Sequence, residues 1–244
     1  MTNQSLIIGR GCALPMSSMP LSGPVRQRRK EARPQELLDA ALEVFVQRGF
    51  AAARTDDVAH RAGVSKGTLY LYYPSKEDLL KAVITHSLAA EIAEGRRIVD
   101  QHSGSAVDLL RNFVVPWWIR VLDSPASGVF KLMITEVRNH PEVAEFYARE
   151  VMLPGEQVLT DVIQRGIDRA EFRQPAELRH TVFSLLLPLV MLCVHKHSLG
   201  ACSLGPNLDA PRFIADHVEL LIAALRPAPL EPASAQPSIP PTPS

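Results

Sequence analysis

Little in this 244-residue chain points to covalent chemistry or to a membrane. It has 3 cysteines, Cys12, Cys193 and Cys202. That count is odd and the spacing fits neither a disulfide framework nor a metal or redox site, so reduced thiols in the cytoplasm are expected. Net charge is absent too, with 26 basic against 26 acidic residues, and bulk charge alone therefore does not suggest nucleic acid. The longest apolar block, Val182 to Val194, is 13 residues with Pro188 inside it. That falls short of the ~20 residues of a membrane span, and Leu6-Ile7-Ile8 is too short for a signal peptide. No membrane insertion is expected. No alternating apolar runs bounded by turns occur, and no internal repeat, which leaves an all-α chain.

The charge that is present is unevenly placed. Residues 1–82 carry 12 Lys and Arg against 8 Asp and Glu, a net +4, and residues 83–244 carry the balancing −4. Within that basic part, Thr55 to Lys76 reads as two short helices joined by a sharp turn. Thr55 suits an N-cap. Val58, Ala59 and Ala62 form a small apolar stripe, and Ala59 is small enough to let two helices approach. Gly63 ends the first helix where positive φ is needed. Ser65 starts the second, from which Leu69 and Tyr72 face inward. This is the helix-turn-helix layout, whose second helix lies in the DNA major groove. Lys66 can reach a phosphate or a guanine edge, Gly67 permits close backbone approach, and Thr68 and Tyr70 offer hydroxyls. Lys76, at the start of the next helix, is expected to attract a phosphate. Asp56 and Asp57 should repel phosphate, which places base reading mainly on the second helix. Leu71 and Tyr73 are expected to pack.

The run Gly63-Val-Ser-Lys-Gly-Thr-Leu-Tyr-Leu-Tyr-Tyr-Pro-Ser-Lys-Glu-Asp-Leu-Leu80 resembles the signature of the tetracycline-repressor (TetR) family of bacterial regulators. The preceding helix, Pro34 to Phe50, also fits, with Leu37, Leu38, Ala41, Leu42 and Phe45 on one face and Gly49 as its stop. The resemblance covers roughly residues 33–82. It implies a three-helix DNA-binding head whose contacts fall on Thr55, Ser65, Lys66, Gly67, Thr68, Tyr70, Leu71, Tyr72 and Lys76. It implies a helical ligand-binding and dimerisation domain behind that head, nine helices in all, with the last two pairing in a four-helix bundle with a second copy.

Four segments follow from composition and resemblance together. Residues 1–25 form a disordered extension and 26–82 the DNA-binding domain, whose Arg26, Arg28, Arg29, Lys30 and Arg33 precede the first helix either as a DNA-binding arm or as a solvated lead-in. Residues 83–226 form the regulatory and dimerisation domain, and 227–244 a proline-rich disordered tail. In the body, helices are expected from Ser75 to about Val99, Ala106 to Leu122, Val129 to Arg138, Pro141 to Arg169 with an interruption near Pro154-Gly155, Pro175 to Leu199, and Asp209 to Leu225. The homodimer is placed on 175–226, with Leu189 at its interface.

The few aromatics are grouped enough to suggest a pocket for an apolar or aromatic inducer: Phe113, Trp117, Trp118, Phe130, Met133, Phe146, Phe183, Leu187 and Met191. Enzyme chemistry is not expected. Glu177-x-x-His180 is a single copy of a spacing that di-iron bundles need twice, and His195-x-His197 points two rings to different sides of a helix. No catalytic residue, metal or cofactor is assigned. The expected function is a DNA-binding transcriptional regulator, a repressor released from a palindromic operator by a small molecule. An architectural or partner-binding DNA protein without an inducer is the alternative.

Overall fold

The computed structural model describes residues 25–136, 138–198 and 208–227. Expectations for residues 1–24 and 228–244, with Cys12 and Cys202, lie outside the described residues. Among those described there is no strand, and nine helical rods follow one another.

The first rod, α1, is Val25–Arg48. The basic residues 26–33, expected ahead of the first helix, are therefore helical backbone, with Pro34 inside the helix. From Pro34 onward the chain is one compact unit. In it α1 buries Leu37, Leu38, Ala41, Leu42, Val44 and Phe45, the stripe that helical spacing demands. Two short rods follow, α2 (Thr55–Arg61) and α3 (Lys66–Tyr72). Gly49 and Gly63 stand at φ +78° and +65° in the turns before them, where a Cβ would be strained.

The remaining rods are long. α4 is built from Lys76–Ile84, one π-helical turn Thr85–Ala89, and Ala90–Gln101. α5 repeats that plan with Ala106–Leu109, Leu110–Val114 and Val115–Asp123. α6 is Ser127–Glu136. α7 joins Pro141–Tyr147, the π turn Ala148–Met152, and Leu153–Asp168. Two of the three π turns end two residues before a proline, Pro116 and Pro154. A proline ring cannot donate to the carbonyl four residues back, and the wider turn takes up that carbonyl's displacement. The interruption expected near Pro154-Gly155 is thus a π turn in a continuous rod. α8 is Leu178–Ser198 and α9 is Ala210–Leu225, capped by Asp209, which accepts the Arg212 N–H at 3.1 Å.

α8, at 21 residues, is long and apolar enough to cross a membrane. On its inward face Val182, Leu185, Leu189, Leu192 and Cys193 are buried. Leu189, expected at a subunit interface, is 1% exposed and belongs to the protomer's own core. The outward apolar residues are Leu187 and Met191 on α8 and Leu220 on α9. Burial also pushes the Cys193 thiol up to about 12, against the pull of Lys196, which keeps it an unreactive thiol.

Rod ends in the body are held by arginine and glutamate. Arg165 donates to the Val99 and His102 carbonyls at the C-terminus of α4, both at 2.8 Å. The Glu171 carboxylate accepts the Ala106 N–H at 2.7 Å, closing the N-terminus of α5. Gly166 is required for packing, since a Cβ there would meet the Phe172 ring at 2.1 Å.

Candidate DNA interface and body cavity

The helix-turn-helix is set by local bonds. Ser65 accepts the Thr68 N–H at 3.1 Å, and Ser75 accepts the Asp78 N–H at 2.9 Å, so α3 and α4 begin as their serines dictate. Thr55 is not the cap of α2. It is the helix's first residue, with Arg54 before it, and the Asp57 carboxylate accepts the Arg54 N–H at 3.4 Å. The Thr55 hydroxyl instead meets the Tyr70 hydroxyl at 3.0 Å, tying α2 to α3.

Both acidic residues of α2 are matched by cations. Asp57 pairs with Arg48 at 2.6 Å and Asp56 with Lys66 at 2.9 Å. The hydrogen bond and charge of Asp56 hold the Lys66 ammonium above the ordinary lysine value. Asp56 therefore positions a cation on the recognition helix, where repulsion of phosphate was expected.

Lys76 departs from expectation as well. Its ammonium donates to the carbonyls of Phe50 (2.8 Å), Ala53 (3.2 Å) and Ala51 (3.3 Å) and lies 4.5 Å from the centre of the Phe50 ring. All three ammonium donors are thus spent on the turn between α1 and α2. Its side chain ties the start of α4 to that turn.

On α3 the exposed residues are Lys66, Gly67, Tyr70 and Leu71, which share one face, while Thr68 and Tyr72 are half-buried. Leu71 was expected to pack and is 82% exposed; Tyr73 is half-buried and packs against the core. A Cβ on Gly67 would meet only the Ser65 hydroxyl at 3.9 Å. The protein's own packing does not need a glycine there.

Side chains of the head meet the body besides the unbroken α4. The Phe50 ring meets the His140 ring edge-on at 4.8 Å. Gly128, in the first turn of α6, lies so close to α1 that a Cβ would stand 2.4 Å from Val46 Cγ2. His140 immediately precedes α7.

The body encloses a cavity of about 400 Å³ walled by α4 to α8. Phe113, Trp117, Trp118, Phe130, Met133, Phe183 and Leu187 all line it. Phe146 and Met191 do not. Phe146 lies under the Arg149 guanidinium at 5.7 Å, and Met191 is 57% exposed. Each misses by one residue: the adjacent Tyr147 and Val190 line the wall, and one residue along a helix turns the side chain by about 100°. Burial pushes the Tyr147 hydroxyl above the ordinary tyrosine value. Every π turn contributes to the wall, through Leu88, Phe113 and Val114, and Val151 and Met152. Such turns are frequent at functional sites because they turn side chains out of the α-helical register.

Trp117 and Trp118 pack edge-to-face at 5.1 Å, and Trp118 lies 5.9 Å from Phe130. Neither indole N–H has an acceptor among the described residues. Glu156 is the one charged residue of the lining, and no pattern in the sequence marked it. Among the described residues no group of three or more His, Cys, Asp or Glu side chains is placed to hold a metal.

Residues 37–83 match the family described as bacterial regulatory proteins, tetR family. Over 172 residues the chain is 28% identical to YfiR, a helix-turn-helix transcriptional regulator of Bacillus subtilis, covering 68% of this chain and 80% of that protein. Over 67 residues, 27% of this chain and 31% of the other, it is 48% identical to the transcriptional activator FasR of Mycolicibacterium smegmatis. The transcriptional regulator FadR of Bacillus subtilis, solved in complex with stearoyl-CoA, shares the fold with a TM-score of 0.66 at 19% identity, over 79% of this chain and 100% of that one. Residues 37–83 thus carry the DNA-binding domain of bacterial regulatory proteins of the tetR family, and the relatives that extend beyond it are helix-turn-helix transcriptional regulators.

Proposed function

We propose that this regulator binds a palindromic operator as a homodimer, acts as a repressor, and is released when the tail of an acyl amphiphile fills the body cavity. The observation that carries the reading is the cavity itself: a hollow in the body walled almost wholly by aromatic and aliphatic side chains. Its volume of about 400 Å³ lies within the ~300–1,000 Å³ usual for small-molecule sites. The fold shared with a regulator solved with stearoyl-CoA supports an acyl ligand.

DNA contact is assigned to the outward face of α3, with Lys66, Gly67, Tyr70 and Leu71 entering the major groove and Ser65, Thr68, Thr55 and the start of α4 holding phosphates. The dimer forms through the outer faces of α8 and α9, where Met191 and Leu220 stand 57% and 70% exposed. The ligand acts through α7. Its cavity wall continues into His140, which bears on Phe50, whose carbonyl is held by Lys76. A ligand that prefers one placement of α7 shifts the head only by its difference in affinity for the two placements. Binding to chromosomal DNA places the working protein in the cytoplasm.

The test is to select duplexes from a random pool, then add lauroyl-CoA to the selected complex. Selection of a palindrome that lauroyl-CoA releases supports the reading. Sequence-indifferent binding, or a palindrome that the ligand leaves bound, overturns it in favour of an architectural role. Leu220→Arg should convert the dimer to a monomer in sedimentation.

A further inference from the structure

The cavity opens through an apolar rim, where Ile134, Met152 and Leu187 are each half-exposed although they belong to its lining. A ligand with an apolar tail and a polar head would leave its head at this rim. The one charged lining residue, Glu156, stands on α7 with its side chain 19% exposed. It accepts a hydrogen bond from Nε of Arg179, in the first turn of α8, at 2.8 Å. The Arg179 guanidinium also lies over the ring of Phe183, another lining residue, at 5.3 Å. A cation is thus held in place against two residues of the cavity wall.

Glu156 uses only one edge of that cation. The two terminal nitrogens of Arg179 have no hydrogen-bond partner among the described residues, and its side chain is 64% exposed. A guanidinium fixed by Nε and by an aromatic face keeps a planar pair of N–H donors whose geometry matches two oxygens of a carboxylate or phosphate. A cationic head meets the opposite situation, since the carboxylate it needs is already paired.

We propose that Arg179 is the head-group selector of this cavity: it receives the anionic oxygens of an amphiphile whose tail lies among the aromatic side chains, and Glu156 and Phe183 position it for that contact. The proposal rests on the reading that the cavity takes an acyl chain. It adds the sign and shape of the head, shared by a fatty carboxylate and a phosphate-bearing ester.

The experiment compares four twelve-carbon probes below their micelle-forming concentrations: dodecanoate, dodecyl phosphate, dodecanol and dodecyltrimethylammonium. Binding is read by quenching of Trp117 and Trp118, the chain's two tryptophans. Dodecanoate or dodecyl phosphate should bind about tenfold tighter than dodecanol, the effect of one charge-assisted hydrogen bond, and the better of the two identifies the head chemistry. Arg179→Gln should erase that preference while leaving dodecanol affinity unchanged. Arg179→Lys should keep part of it, and Glu156→Gln should preserve or increase it. Equal binding of anionic and neutral probes by the native chain would overturn the selector while leaving the cavity reading intact, and so would an Arg179→Gln variant that keeps the preference. Preference for dodecyltrimethylammonium would overturn it in favour of Glu156. No quenching by any probe would overturn the cavity reading itself, and the selector with it.

Discussion

In the head, short helices meet over a few buried side chains and are pinned by polar bonds to particular backbone atoms: Ser65 on Thr68, Asp57 on Arg54, and Lys76 on three carbonyls of one turn. In the body, long helices share broad apolar faces, arginines hold their ends, and the middle is hollow. A head built from directional bonds has one geometry, which suits a rigid reader of a groove. A body built from apolar faces around a cavity can repack when the cavity is filled, because apolar contact is not directional. The two meet at Phe50 with His140 and at Gly128 with Val46, and the comparison is tested most severely where they join.

The largest effect is expected at that junction. Gly128→Val places a branched side chain where Val46 already stands, and should cost about 1–3 kcal/mol, read as a lower melting temperature. An unchanged melt would mean that α6 and α1 move apart freely. Next comes a contrast between two lysines of the head. Lys76→Met leaves three carbonyls without their donor and should destabilise the fold by about 1–3 kcal/mol, with DNA affinity lost in step with stability. Lys66→Ala should leave the melting temperature in place and weaken DNA binding alone. Equal melting curves for the two variants would remove the assigned difference in role.

In the body the effect is on ligand rather than on stability. Ala144 lines the cavity, and Ala144→Leu fills part of it. Acyl affinity should fall on the order of tenfold, as for about two expelled methylenes at ~0.8 kcal/mol each, with the melting temperature held or raised. The smallest effect concerns pH. Burial first, then Lys196 and Lys131, push the His197 imidazole below its ordinary value of 6.5, and its Nε2 meets the buried Ser127 hydroxyl at 2.7 Å. Below pH 6.5 the unfolded chain takes up a proton that the folded chain does not. The stability from His197 is therefore full above 6.5 and declines as pH falls toward the lower folded value. His197→Gln should flatten that part of the melting-temperature profile.

How much was legible beforehand follows the same division. Gly63, Ser65 and Ser75 act on residues at most three positions away, so the sequence discloses the turn and both caps. The rods of the body were legible for a similar reason, since helical periodicity and the prolines are local signals. The partners of Lys76 lie 23 to 26 residues earlier in the chain, and no local pattern reports such a contact. Composition does not tell the faces of Leu189, Phe146 and Met191 apart, because α8 is apolar nearly all round and Phe146 stands one position from the wall residue Tyr147. In a helix of that kind only the packed structure tells core from wall and wall from surface. Arg179 and Glu156 carried no signal, being 23 residues apart and ordinary in composition.

The central claim is that occupation of the cavity and grip on DNA are coupled. The direct measurement is the affinity of lauroyl-CoA for the protein alone and for the protein saturated with its selected duplex, set beside the affinity of that duplex with and without lauroyl-CoA. Linkage requires one factor in both directions, and the account predicts weaker ligand binding on DNA by about 5- to 150-fold, the usual range for such coupling. The same lauroyl-CoA affinity with and without the duplex would contradict it.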